Sequence, residues 1–241
     1  MSKTNEQYEG VKELREYSFI AYAMERFFWI LMYLSPVDWF LSSKMELQEK
    51  FDRGDNAIKE KLTKKRGKEI ELYMCICILA EILILLLVNI VLRDYRLIKY
   101  LLLIPIAVRL LDIFQTNVNI SVFAHLRTRK PHGRQYIATP VRLLVLVAIN
   151  YLEIILCFGI IYSVFISNIQ CHTHWADALY FSVITQLTIG YGDLRPTEFL
   201  RLAVCVQGML GLLFTVLIIS RIINLVPQPT SIAGGRDNTQ E

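Results

Sequence analysis

Glycine, proline and cysteine are all scarce in this chain of 241 residues, at 11, 7 and 5. So little glycine and proline excludes a collagen-like repeat and a Pro/Gly-rich disordered protein, and so few cysteines exclude a small disulfide-stapled scaffold. Charge is scarce too: 20% of residues are charged, and 26 Lys and Arg against 22 Asp and Glu leave a formal +4. That excess is too small to indicate a nucleic-acid partner, although its placement can orient loops at a membrane. The segment Met1 to Glu16 mixes Lys3, Glu6, Glu9, Lys12, Glu13 and Arg15 with no apolar core, the opposite of a cleavable signal peptide. No nucleophile is paired with a base and no phosphate-binding loop occurs, so neither catalysis nor an organic cofactor is expected.

What the chain has in place of these is hydrophobic residues, 54% of the total, with a mean hydropathy of +0.40. That is too apolar for an ordinary soluble domain and implies a multi-pass protein of the cell membrane whose first partner is the lipid bilayer. Crossing about 30 Å of hydrocarbon takes about 20 helical residues. Leu72 to Leu92, Val141 to Ile166 and Leu200 to Val226 all meet that length. Leu97 to Phe114 is mostly apolar but contains Pro105, Arg109 and Asp112, while Tyr17 to Leu34 carries Glu25 and Arg26 and either spans or lies in the interface. Four cysteines, Cys75, Cys77, Cys157 and Cys205, fall in apolar runs as small buried hydrophobes. Cys171 lies with His172 and His174 in a polar connection, a pattern that can bind a metal or form an intersubunit disulfide, although isolated clusters of this kind are usually incidental.

Between the last two spans, Trp175 to Leu187 is helix-compatible, with Asp177 in its first turn, yet it reaches only about halfway across a bilayer at about 1.5 Å per residue. Such a half-helix is re-entrant. The glycine-bearing TIGYGD after it must line a water- or ion-filled cavity inside protein, because lipid offers its peptide groups no hydrogen bonds. A dehydrated potassium ion needs a replacement shell of oxygens, which backbone carbonyls supply. Thr188, Ile189, Gly190, Tyr191 and Gly192 can provide such a shell. The glycines admit positive φ, the Thr188 hydroxyl adds an oxygen at the inner end, and Tyr191 can brace the segment from behind. One such strand lines only one wall, so four copies are needed for a ring.

These residues resemble the potassium channel superfamily, of the single-pore-loop, prokaryotic-type kind, over about a third of the chain from near Val141 to near Val226. The resemblance implies a homotetrameric, potassium-selective channel with K+ as the permeant ion and no other metal. It implies an outer helix, a re-entrant pore helix with a filter loop, and an inner helix, in an all-α membrane protein with two or three further membrane helices in front. Asp193 is then expected to brace the outer mouth against the pore helix, with Trp175, Tyr180 and Phe181 as further filter support. Gly208 and Gly211 are candidates for an inner-helix hinge or for close helix packing, and Ile222 or Val226 for the inner gate. The sequence departs from the family in having Leu187 before the filter Thr, which makes the cavity below less polar. Two other functions fit the same residues: a weakly selective cation channel, and a non-conducting sensor or regulatory subunit that binds a partner through Lys59 to Lys68.

The pore architecture puts the C-terminus in the cytoplasm, and Arg127, Arg129, Lys130 and Arg134, with no acid among them, fit a cytoplasmic connection. The expected organisation is an N-terminal segment with an interfacial or membrane helix (1–41), a charged cytoplasmic segment (42–71), a helix hairpin (72–126), a basic linker (127–139), the pore domain (140–226) and a flexible tail (227–241). That tail is too short to be a fused ligand-binding domain. Arg93, Arg96 and Lys99 have the three-residue spacing of a voltage sensor, but the array stops at an uncharged run, so interfacial anchoring is expected. Arg109 is expected to form an intramembrane ion pair with Asp112 on its own helix or with Glu81 on the preceding one, leaving Glu153 without an assigned partner.

Overall fold

The computed structural model describes residues 18–33, 56–92, 95–123, 140–223 and 225. Among the described residues six α-helices run in order: α1 Phe19–Tyr33, α2 Asn56–Leu86, α3 Arg96–Val118, α4 Pro140–Val164, α5 Asp177–Gln186 and α6 Leu200–Ile223. Two short strands, β1 Ile169–Gln170 and β2 Arg195–Pro196, pair antiparallel with Ile169 opposite Pro196 and Gln170 opposite Arg195. The basic linker 127–139, Val226 and the tail 227–241 lie outside the described residues.

Lys, Glu and Leu without proline carry α2 unbroken from the charged segment into the apolar one, so no structural boundary falls between residues 71 and 72. Both α2 and α3 end in a π turn, Leu87–Val91 and Asn119–Phe123. Near each, an asparagine amide bonds the carbonyl four residues back, Asn89 Nδ2 to Leu85 O at 2.7 Å and Asn117 Nδ2 to Ile113 O at 2.8 Å. At the first turn the Leu92 N–H reaches back five residues, to Leu87 O at 2.8 Å.

Among the described residues three helical stretches are long and apolar enough to cross a membrane: Gly67–Val91, Val141–Val164 and Leu200–Ile223. The chain is thus an all-α membrane protein. Helix α3, with 23 residues, reaches about 35 Å at about 1.5 Å per residue but carries Arg109 and Asp112. Helix α1 has 15 residues and sets Phe28 against Phe114 of α3, ring centroids 5.8 Å apart.

Helix α4 is the hub. It packs against α2, α3, α5 and α6, and half of its apolar stretch is buried, against 22% in each of the other two spans. Its buried Ile154, Phe158 and Tyr162 meet Phe181 and Ile184 of α5 and Phe214 of α6 in one apolar core.

The charged residues of the hairpin face the same helix. Arg109 donates from Nη2 to both oxygens of Glu153, at 2.8 and 2.9 Å, and from Nη1 to Asp112 Oδ2 at 2.8 Å. Its guanidinium also lies 5.1 Å from the centre of the Tyr73 ring on α2. The expectation that Arg109 pairs with Asp112 or Glu81 is therefore corrected in its second half. Glu81 accepts a hydrogen bond from Cys157 Sγ at 3.3 Å, while Glu153 takes the other side of the Arg109 fork. The physical reason is tertiary: α4 comes to lie against the hairpin, and one planar guanidinium serves two carboxylates by bidentate geometry.

Breaking a buried ion pair from one side costs about 3–5 kcal/mol because the remaining charge is stranded. Glu153→Ala should accordingly lower the thermal unfolding midpoint of the detergent-purified protein sharply. The double variant R109A/E153A should lose less than the two single losses added together. Additive losses would show that the pair is not coupled.

Candidate functional site

The α4–α5–α6 module positions TIGYGD. Entry into α5 is fixed by Asp177, whose Oδ2 accepts from the Thr173 N–H at 2.6 Å and the His174 N–H at 2.9 Å. These amides, Thr173 first, favour the charged carboxylate and hold Asp177 below the usual range. His174 Nδ1 accepts from the Ala176 N–H at 3.3 Å, and His172 Nδ1 lies 2.6 Å from Ile169 O. The two histidines thus serve the turn, Cys171 is a free exposed thiol, and no group of three metal-ligating side chains gathers among the described residues.

Helix α5 is clamped from both sides. Ser182 Oγ donates to Ile155 O of α4 at 2.7 Å, and Gln207 Nε2 of α6 donates to Ser182 O and Oγ, both at 2.9 Å. Tyr162 of α4 completes the chain by donating to Gln207 Oε1 at 2.7 Å. Ser182, Gln207 and Tyr162 are all fully buried, so each bond replaces water that the interior cannot provide. Lower down, Tyr151 donates to Gln186 O at 3.0 Å. None of these four donors is singled out by a sequence motif. A signal for one is nevertheless present: Gln207 is a polar residue in the middle of an apolar helix, and such residues seldom lack a partner.

Beyond Gln186 the chain turns back on the last turn of α5. Thr188 N–H donates to Thr185 O at 3.1 Å, and the amides of Ile189 and Gly190 converge on Ile184 O at 2.9 and 3.3 Å. The backbone then alternates in hand, with φ of 56° at Thr188, 54° at Gly190 and 78° at Gly192, and no positive φ at Ile189 or Tyr191. Alternation of this kind turns successive carbonyls to one side, where an ordinary strand sends them to opposite sides. A Cβ on Gly190 or Gly192 would meet nothing within 4 Å, so their φ is what calls for glycine, whereas Thr188 holds a conformation costly for an L-residue.

At the far end of TIGYGD Tyr180 donates to Asp193 Oδ2 at 2.8 Å, tying that end to α5, and Arg195 Nε donates to Gly192 O at 3.3 Å. Phe181 points the other way, edge-on to Tyr162 of α4 with centroids 5.0 Å apart, and Trp175 sits beside the His174 ring at 5.5 Å. Tyr191 is 69% exposed in the single chain. Large apolar side chains on one face of α6, among them Leu202, Met209, Leu212 and Val216, are likewise exposed. Of the two inner-helix glycines, Gly211 is buried with a Cβ position 3.0 Å from Gln186 O, while Gly208 faces open space and Ile222 is exposed.

Residues 151–228, about a third of the chain, match the family model described as "Ion channel". The fold and this match define a multi-pass membrane protein carrying an ion-channel domain. No curated protein and no solved structure matches the chain significantly.

The contrast between the glycines is measurable. Gly211→Ala should destabilise the purified protein by about 1–3 kcal/mol through overpacking against Gln186, with Gly208→Ala close to neutral, as thermal melts would show. Asp177 gives a pH dependence. Its carboxyl is lowered in the folded state, so its contribution is full above the ordinary value of about 4 and is lost as pH falls through the lower folded value. The melting difference between wild type and Asp177→Ala should therefore be present at neutral pH and shrink below about pH 4.

Proposed function

We propose that the chain forms a potassium-selective channel, four copies surrounding one pore in the cell membrane with K+ as the permeant ion and the C-termini in the cytoplasm. The observation that supports this reading is the alternating backbone hand from Thr188 to Gly192, a pattern that lets successive carbonyls face one side. Those dipoles replace the hydration shell without the trapping effect of a carboxylate. The C-terminal end of α5 lies beside the inner end of the filter, where its partial negative charge favours a cation before dehydration. Tetramer formation accounts for the exposed Tyr191 and the apolar face of α6, which a lone chain leaves uncovered.

Gly211 and Gln186 fix the inner helix to the foot of the pore helix, which makes Gly211 a packing position, while the open Gly208 is the better candidate for flexure. Ile222, near the end of α6 away from the filter, stands at the inner gate.

The test is reconstitution into liposomes. Rubidium uptake that barium blocks is expected, together with a bi-ionic reversal potential favouring potassium over sodium. Equal permeability of the two ions would assign the chain to weakly selective cation channels, and absence of flux from a correctly inserted tetramer to non-conducting subunits. Gly190→Ala should abolish uptake without reducing insertion, because alanine resists the φ of 54° found there.

A further inference from the structure

At the end of the bundle away from the filter, a cavity of about 280 Å³ opens between α2, α3 and the first turns of α4. Its walls are mostly apolar, with Ile70 and Met74 from α2, Ile113 from α3, and Leu143, Leu146 and Val147 from α4, and the polar Thr116, Asn117 and Asn150 among them. Along α4 it extends from Arg142 to Asn150, a depth of about 12 Å at about 1.5 Å per residue. The floor holds Arg109 and Asp112, and Arg109 is already engaged by Glu153 and Asp112 and so is not available to a ligand.

The rim differs from the floor. Arg142 donates to Gly67 O at 2.6 Å and lies 3.0 Å from Glu71 Oε1, while Arg221, at the last turn of α6, hydrogen-bonds the neutral Ser121 Oγ at 3.0 Å. Among the described residues the rim carries two guanidiniums, one of them paired with Glu71, above a mostly apolar space inside a membrane protein.

We propose that this cavity takes one acyl chain of an anionic phospholipid from the leaflet opposite the filter, with the phosphate held at the rim by Arg221. Size supports a tail over a whole molecule, since pockets for drug-sized ligands begin at about 300 Å³. Charge supports the headgroup: the guanidinium fork matches phosphate oxygens, and a cation near an anionic surface adds attraction. The cavity lies within one chain, between the hairpin and the outer helix, so an occupant would pack directly against the element that carries the pore helix. The proposal requires the membrane setting and does not depend on conduction.

Native mass spectrometry of the full chain, purified in mild detergent with phosphatidylglycerol or phosphatidylcholine added, tests it. Wild type should retain about one phosphatidylglycerol per subunit in preference to phosphatidylcholine. Leu146→Trp, which fills the cavity, should lose that lipid. Arg221→Gln should keep a tail in place but reduce the headgroup preference about fivefold, the effect expected of one interfacial cation. Equal retention of the two lipids by wild type would overturn the proposal, as would undiminished lipid in a folded Leu146→Trp variant. Inorganic phosphate that binds wild type and Leu146→Trp alike and displaces the lipid would assign Arg221 to a soluble anion and overturn it too. Should Leu146→Trp fail to fold by circular dichroism, Leu143→Trp fills the same space, and the Arg221→Gln comparison stands without either.

Discussion

A peptide backbone that enters a bilayer and turns around must place every N–H and C=O on protein. The half-helix α5 meets that demand with its own hydrogen bonds, and the loop after it meets it by folding back on the Ile184 carbonyl. Both depend on α5 staying where it is, and the chain Tyr162–Gln207–Ser182–Ile155 fixes it there. That chain draws on three helices at once. Strand pairing alone could not hold a ten-residue helix in place, since the strands are two residues each.

Helix α4 carries two unrelated kinds of contact on opposite faces. Towards α5 and α6 it offers Tyr162, Phe158 and the Ile155 carbonyl, and towards the hairpin it offers Glu153 and Cys157. Glu153 therefore sits one helical turn from Cys157 on the face that reads Arg109, while the pore helix is read from the other side. Most of the contact between the two halves of the protein runs through this helix.

Much of this is legible in the sequence, and the residues show why. Long apolar runs give spans by length alone, and GYG after a half-helix gives a re-entrant loop because no other placement satisfies its backbone. The helices of the pore module begin within about two residues of the expected limits, and α4 and α5 also end within about two. Contacts between distant parts of the chain are less legible. Glu153 and Arg109 are 44 positions apart, and Tyr162 and Gln207 are 45 apart, so nothing local joins them. Spacing on a single helix favours Asp112 for Arg109, and it does bind there, but the second carboxylate is chosen by how α4 docks. The charged segment before residue 72 reads as a separate solvated piece because its composition changes abruptly, whereas the backbone continues through the change without a break.

That continuity has a mechanical side. Helix α2 begins at Asn56, while its apolar stretch begins at Gly67, the residue whose backbone carbonyl receives Arg142 of α4. A Cβ at Gly67 would collide with the Arg142 guanidinium, so the glycine is what lets that side chain lie against α2. The part beyond is an arm about 16 Å long at about 1.5 Å per residue, and a tilt of about ten degrees about that contact sweeps its tip through about 3 Å. Gly67 is where that arm meets the outer helix of the pore, through the guanidinium of Arg142.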